Sequence, residues 1–255
     1  MVTGGLPEAV DGYRSLSANL PDALQEVRRI QRALLVGFQS DFAKHAGKVN
    51  AVHINRVLES VPIQMSRVMD GSVSRFRFRG VIPNQSKFAQ LDGPIDWLTK
   101  AGLVLKVHVV DQAALPLRAY ARDNLFKLYL FDVGLLGCML DLPFESILNQ
   151  DYGSYKGYYA ENLVAQEFTA AGAGPLYSWC GRQSEIEFVR VFGNAVVPVE
   201  VKSGVRARSR SLGAYSEKYA PSLMIKITAR NLDRTRSDCH NYPLYLAGRL
   251  AGPRA

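Results

Sequence analysis

The apolar positions of the chain change period several times, and each change predicts an element. From Leu20 to Lys44, Leu24, Val27, Ile30, Leu34 and Leu35 recur at steps of three and four, which predicts a helix with Pro21 near its start. Residues 1–12, including GGLPEAVDG, read as a loop. Asn50 to Val61 predicts a second helix, with Val52, Val57, Leu58 and Val61 apolar, ended by Pro62; Gln64 to Met69 is a short further block. Phe88 to Ala101 carries Leu91, Ile95 and Leu98 on one side, and Gly102 supplies a stop. Leu103 to Val110 alternates like a strand, and helices followed by a strand at this size resemble a winged helix-turn-helix. The run F-K-L-Y-L-F-D-V-G-L-L after Pro116-Leu117 fits a strand or a buried helix equally, and its expected role is core packing.

The second half holds the carboxylates that suggest a site. A helix-like GYYAENLVAQEF carries Glu161, an aromatic strand LYSWC follows, and SEIEFVRV then holds Glu185 and Glu187. Strict alternation would turn both acids the same way. In PVEVKSG, period two sets Glu200 and Lys202 on one face and Val199 and Val201 on the other. Carboxylates beside a lysine can hold a divalent cation together with a phosphate, because oxygen ligands suit Mg²⁺ and an ammonium balances phosphoryl charge. Each acid also has a plainer reading: Glu161 as a carboxylate near a helix N-terminus, and the strand acids as a solvated, salt-bridged face.

Composition narrows the partners. The 255 residues carry a net charge of +8 and a pI near 9.4, which favours a polyanion such as DNA. In S-R-F-R-F-R-G, Arg75, Arg77 and Arg79 alternate with Phe76 and Phe78. The segment reads as an amphipathic edge strand or as a phosphate-contacting element. Arg206, Arg208 and Arg210 form a second basic run directly after the acidic strand, either a rim for a phosphate backbone or a solvated loop. Cys138, Cys180 and Cys239 are scattered, against a disulfide framework or zinc site, and fit a reducing cytoplasm. His45, His53, His108 and His240 lack metal-ligand spacing, and no G-x-S-x-G supports a serine hydrolase. The most apolar stretch, Leu125 to Leu142, is broken by Lys127, Asp132 and Asp141, so no membrane span is expected.

The order of a helix glutamate, a strand acid and then Glu-x-Lys on the next strand resembles the PD-(D/E)xK nuclease core. More widely, GGLPEAV, Asp41-Phe42, SVPIQMS, KLYLFDVGLL, YAENLVAQE, EIEFV, PVEVKSG and NYPLYL occur in the order seen in prokaryotic AAA-type ATP-binding proteins with a DUF4143 domain. The chain resembles their C-terminal part. That resemblance implies a mixed α/β protein: an N-terminal remnant and helix (1–44), a winged helix-turn-helix region (45–110), a connecting segment (111–150) and a restriction-endonuclease-like domain with a central mixed sheet (151–255). Relatives carry aspartate in E-V-D-F where this chain has Glu187, one methylene longer.

The implied roles are Glu187 and Glu200 as Mg²⁺ ligands, Lys202 at the phosphate or attacking water, and Glu161 as outer support. Arg75, Arg77, Arg79, Arg206, Arg208 and Arg210 are the candidate DNA contacts. The resemblance places an ATPase domain upstream. No G-x-x-x-x-G-K-[S/T] loop occurs here, so no ATP site is expected in this chain, which has the look of a truncated or degenerate member. Three functions stay open: a DNA-associated metal-dependent nuclease, a non-cleaving DNA-binding module, and a protein-interaction module serving a partner ATPase.

Overall fold

The computed structural model describes residues 1–66, 75–149, 153, 155–182, 184–204 and 210–250. It divides into two compact units. The first comprises Met1–Arg67, Phe76–Leu105 and Tyr129–Tyr155; the second comprises Val68–Arg75, Lys106–Leu128 and Lys156–Ala255.

The first unit is helical. Pro7–Ser15 forms α1 where a loop was expected. Pro7 sits in the first turn, where its missing N–H costs nothing, and Glu8 and Arg14 complement the dipole at the two ends. Ala9 packs on Val27 and Ile30 of α2 (Leu20–Ala46), a contact too short-ranged along α1 to show as periodicity. The helix α2 itself matches its expected span, with Leu24, Val27 and Ile30 buried.

The two blocks expected on either side of Pro62 are one helix, α3 (Lys48–Ser66), with Pro62 inside it. Burial of Ile54, Val57, Leu58 and Val61 offsets the hydrogen bond that proline removes. Val52, expected on the apolar side, is exposed. Residues 67–69 of the second block lie outside the described residues. Phe88–Lys100 forms α4 as expected, with Leu91, Ile95 and Leu98 buried and Gly102 in the left-handed region at φ 73°. Trp97 meets Phe42 edge-to-face at 5.2 Å.

From Arg75 to Arg79 the S-R-F-R-F-R-G segment keeps its alternation without being a strand, and Ser74 lies outside the described residues. Phe76 is buried and Arg75, Arg77 and Arg79 are exposed, but residues 75–78 have no regular structure. The Gln64 side chain takes the place of a neighbouring strand: its Nε2 donates to the Arg77 carbonyl at 2.9 Å, and the Arg77 N–H donates to its Oε1 at 2.7 Å.

The ambiguous run in the connecting segment divides at Asp132. Strand β2 (Ala121–Leu130) precedes it and α5 (Val133–Met139) follows, with the short α6 (Phe144–Leu148) beyond. Asp132 caps α5 by accepting from the Leu135 N–H at 2.9 Å, and also accepts from the Gly5 N–H at 2.7 Å. The loop that opens the chain is thereby tied to the start of α5.

The second unit is built on a seven-stranded mixed sheet. Its strands are β1 (Val104–Val110), β2, β3 (Leu176–Cys180), β4 (Glu185–Phe192), β5 (Ala195–Val201), β6 (Met224–Thr228) and β7 (Cys239–Pro243), in spatial order β2-β1-β3-β4-β5-β6-β7. The pair β1/β3 is parallel, β3/β4 and β4/β5 are antiparallel, and β5/β6 and β6/β7 are parallel. Helices α7 (Tyr155–Ala170) and α8 (Arg210–Tyr219) accompany it. Leu212 and Tyr215 of α8 join Trp179, Ile186 and Val189 in one apolar cluster. The Trp179 indole N–H donates to the Tyr219 hydroxyl at 3.0 Å.

Candidate acidic centre

The site forms where β4 and β5 run side by side. Phe188 lies opposite Val199, and the same antiparallel register places Glu187 opposite Glu200. Lys202 directly follows β5 and is held there by its N–H, which donates to the Ile227 carbonyl at 2.9 Å. The expected shared face of Glu200 and Lys202 is present: Lys202 Nζ lies 2.7 Å from Glu200 Oε1. The same ammonium lies 3.2 Å from Glu187 Oε1, so one lysine holds both carboxylates. The other Glu187 oxygen accepts from the Val201 N–H at 3.2 Å. Glu200 Oε2 is buried and has no hydrogen-bond partner.

Strand β4 does not keep simple alternation beyond Glu187. Tyr177 pairs with Val189 and Trp179 with Ile186, so β4 has one more residue than β3 between these points, a β-bulge. Ile186 and Val189, three apart, therefore share one cluster, while Phe188 meets the Phe168 ring of α7 at 5.3 Å. The two acids also take different partners. Glu187 goes to Lys202, and Glu185 forms an ion pair with Lys127 of β2.

Lys127 is the residue that sequence reasoning passed over. It sits in a mostly apolar run that fits either a strand or a helix. Its signal was a single charge inside F-K-L-Y-L. Its side chain is 1% exposed.

Glu161 lies in the middle of α7, outside its first turn, so the helix-dipole reading does not describe it. Its charge acts on both Glu187 and Lys127. Among the acids and lysines, burial and then the neighbouring Glu200 charge push Glu187 up to about 8, against the pull of Lys202. Burial works against the Lys202 ammonium, but Glu187 and Glu200 outweigh it and hold its pKa above the ordinary lysine value. Lys127 behaves alike: burial opposes its charge, and Glu185 and Glu161 more than restore it.

Among the described residues, no group of three or more His, Cys, Asp or Glu is placed to hold a metal ion. Two carboxylates still fit Mg²⁺, which commonly takes one or two of them and completes its shell with water and phosphate. The unpaired, buried Glu200 Oε2 is the atom such an ion would satisfy. Of the basic positions, Arg75, Arg77, Arg79 and Arg210 are exposed, while Arg206 and Arg208 lie outside the described residues.

A mixed α/β protein with an acid-and-lysine centre on a seven-stranded sheet is the class that fold and site define. The family model described as "Domain of unknown function (DUF8612)" matches residues 1–146, more than half of the chain, and the chain belongs to that family. The model described as "Domain of unknown function (DUF4143)" matches residues 156–246, the segment that carries Glu161, Glu187, Glu200 and Lys202. No curated protein and no solved structure matches the chain.

Proposed function

We propose that this chain is a DNA-associated protein whose sheet unit carries a PD-(D/E)xK nuclease-like centre that cleaves DNA phosphodiesters with Mg²⁺. The observation that carries the reading is the geometry at Lys202, where one ammonium meets Glu187 and Glu200 from adjacent antiparallel strands. Glu187 and Glu200 would hold the ion, and the ion would supply positive charge against a phosphate. The Lys202 side chain is 38% exposed, against 11% for Glu187 and 2% for Glu200, so it is the member that reaches solvent and can donate to a phosphoryl oxygen or to the attacking water. Glu161 adds negative charge from α7 as outer support. On this reading α3 and α4 of the helical unit would be the helices of a winged helix-turn-helix that docks on a duplex.

A second reading is a non-cleaving DNA-binding or protein-interaction module of an AAA-type ATPase system. It is favoured by Lys202 itself, whose ammonium is already paired with both side chains.

Mn²⁺ or Mg²⁺ calorimetry beside a plasmid-cleavage assay separates the two. Glu200→Ala is expected to abolish metal binding and cleavage with the circular dichroism unchanged. Lys202→Ala is expected to lose cleavage and keep part of the metal affinity. Glu187→Asp restores the family's shorter acid and is expected to raise activity. If neither wild type nor Glu187→Asp binds metal, the cleaving reading is wrong and the second stands.

A further inference from the structure

Lys127 has no part in that reading, yet it is among the most deeply buried charges of the sheet unit. A buried ammonium is costly without a partner, and Glu185 is its partner. The ion pair joins β2 to β4 although β1 and β3 lie between them in the sheet. It also joins the two family segments, since Lys127 falls within residues 1–146 and Glu185 within 156–246.

Stability alone is a poor account of such a pair. Replacing a buried ion pair with apolar residues of similar volume is often neutral or stabilising. Its place is more informative. Glu185 is two residues from Glu187 on β4, and the Lys127 charge acts on Glu185, Glu161 and Glu187 together. Four carboxylates, Glu161, Glu185, Glu187 and Glu200, are thus shared between two lysines, Lys127 and Lys202. Without Lys127, the half-buried Glu185 carboxylate would lose its lysine partner and be freer to turn toward Lys202.

We propose that Lys127 is a positioning residue of the acidic centre: by holding Glu185 it keeps that carboxylate out of the ligand set and leaves Glu187 and Glu200 as the pair that meets a divalent cation. The proposal rests on the metal reading of Glu187 and Glu200 given above.

The test is Mn²⁺ titration of the full chain by calorimetry at pH 7, with the thermal unfolding midpoint measured on each variant. Lys127→Met is expected to weaken Mn²⁺ binding about tenfold or more, the usual cost of losing a group that orients metal ligands. Glu185→Gln releases the Lys127 ammonium toward Glu161 and Glu187, which also act on it, and is expected to weaken binding by drawing Glu187 from the cation. The double variant Lys127→Met/Glu185→Gln removes both charges, leaves no carboxylate to restrain, and is expected to bind near the wild-type affinity. Lys127→Met binding as tightly as wild type overturns the proposal, even if its midpoint falls, because the pair is then structural only. If Lys127→Met does not fold, the double variant decides: near-wild-type affinity supports the proposal and a tenfold loss overturns it. Wild-type protein that binds no Mn²⁺ removes the metal reading itself, and this proposal with it.

Discussion

Glu187 shows how position within a sheet rewrites a side chain. An exposed strand glutamate is ionised throughout the neutral range, but this one is buried beside Glu200 and its pKa rises from 4.5 to about 8. Between about pH 4.5 and 8 the folded chain therefore keeps a proton that the unfolded chain has released. Linkage then requires stability to fall as pH rises through that window. In chelator-treated protein, the urea midpoint should decline from pH 5 to pH 8, and Glu187→Gln should flatten that decline. A midpoint that rises over the same range would mean that Glu187 is ionised and firmly paired in the folded state. The chain's +8 charge predicts neither outcome, since the effect belongs to one carboxyl and its surroundings.

At the scale of elements, two glycines in helices have opposite reasons for being there. A Cβ on Gly134, in the first turn of α5, would lie 2.7 Å from both the Gly4 N and the Thr3 O, which are backbone atoms, and 2.6 Å from Gln31 Nε2. The close approach lets Asp132 cap α5 and bind Gly5 at once. Gly213 in α8 has open space within 4 Å of the same position. Gly134→Ala should destabilise by roughly 1–3 kcal/mol, the usual cost of forcing atoms into a filled site. Gly213→Ala should stabilise by about 0.4–1 kcal/mol, because the unfolded chain loses freedom while the helix loses nothing. Urea denaturation of the two variants compares them directly, and equal effects would contradict the packing around Gly134.

For the molecule as a whole, charge is the relevant quantity. Lys and Arg exceed Asp and Glu by eight, and Arg75, Arg77, Arg79 and Arg210 each present an exposed guanidinium. Arg236 is exposed too, but its guanidinium is paired with Asp238 at 2.6 Å. Among the described residues, no helix is long and apolar enough to cross a membrane. The chain should bind duplex DNA without strong sequence preference, at roughly 10⁻⁴ to 10⁻⁶ M in physiological salt, and the affinity should fall steeply as salt rises. Fluorescence anisotropy with labelled duplex at several salt concentrations measures both. Affinity unmoved by a several-fold rise in salt would count against a phosphate-binding surface.

What could be read from residues alone was whatever local geometry governs. The three- and four-residue spacing of α2 and α4 and the period of two that sets Glu200 beside Lys202 depend only on neighbours along the chain. The helix through Pro62 was hidden because packing of distant apolar residues, not local propensity, keeps α3 continuous. The S-R-F-R-F-R-G alternation suggested a strand, but a strand needs a partner's backbone, and here the backbone of Arg77 bonds to the Gln64 side chain. The bulge in β4 depends on its register with β3, which no spacing within E-I-E-F-V expresses. Lys127 was the furthest out of reach: its role comes from Glu185, a partner remote in sequence that only the order of the strands brings to it.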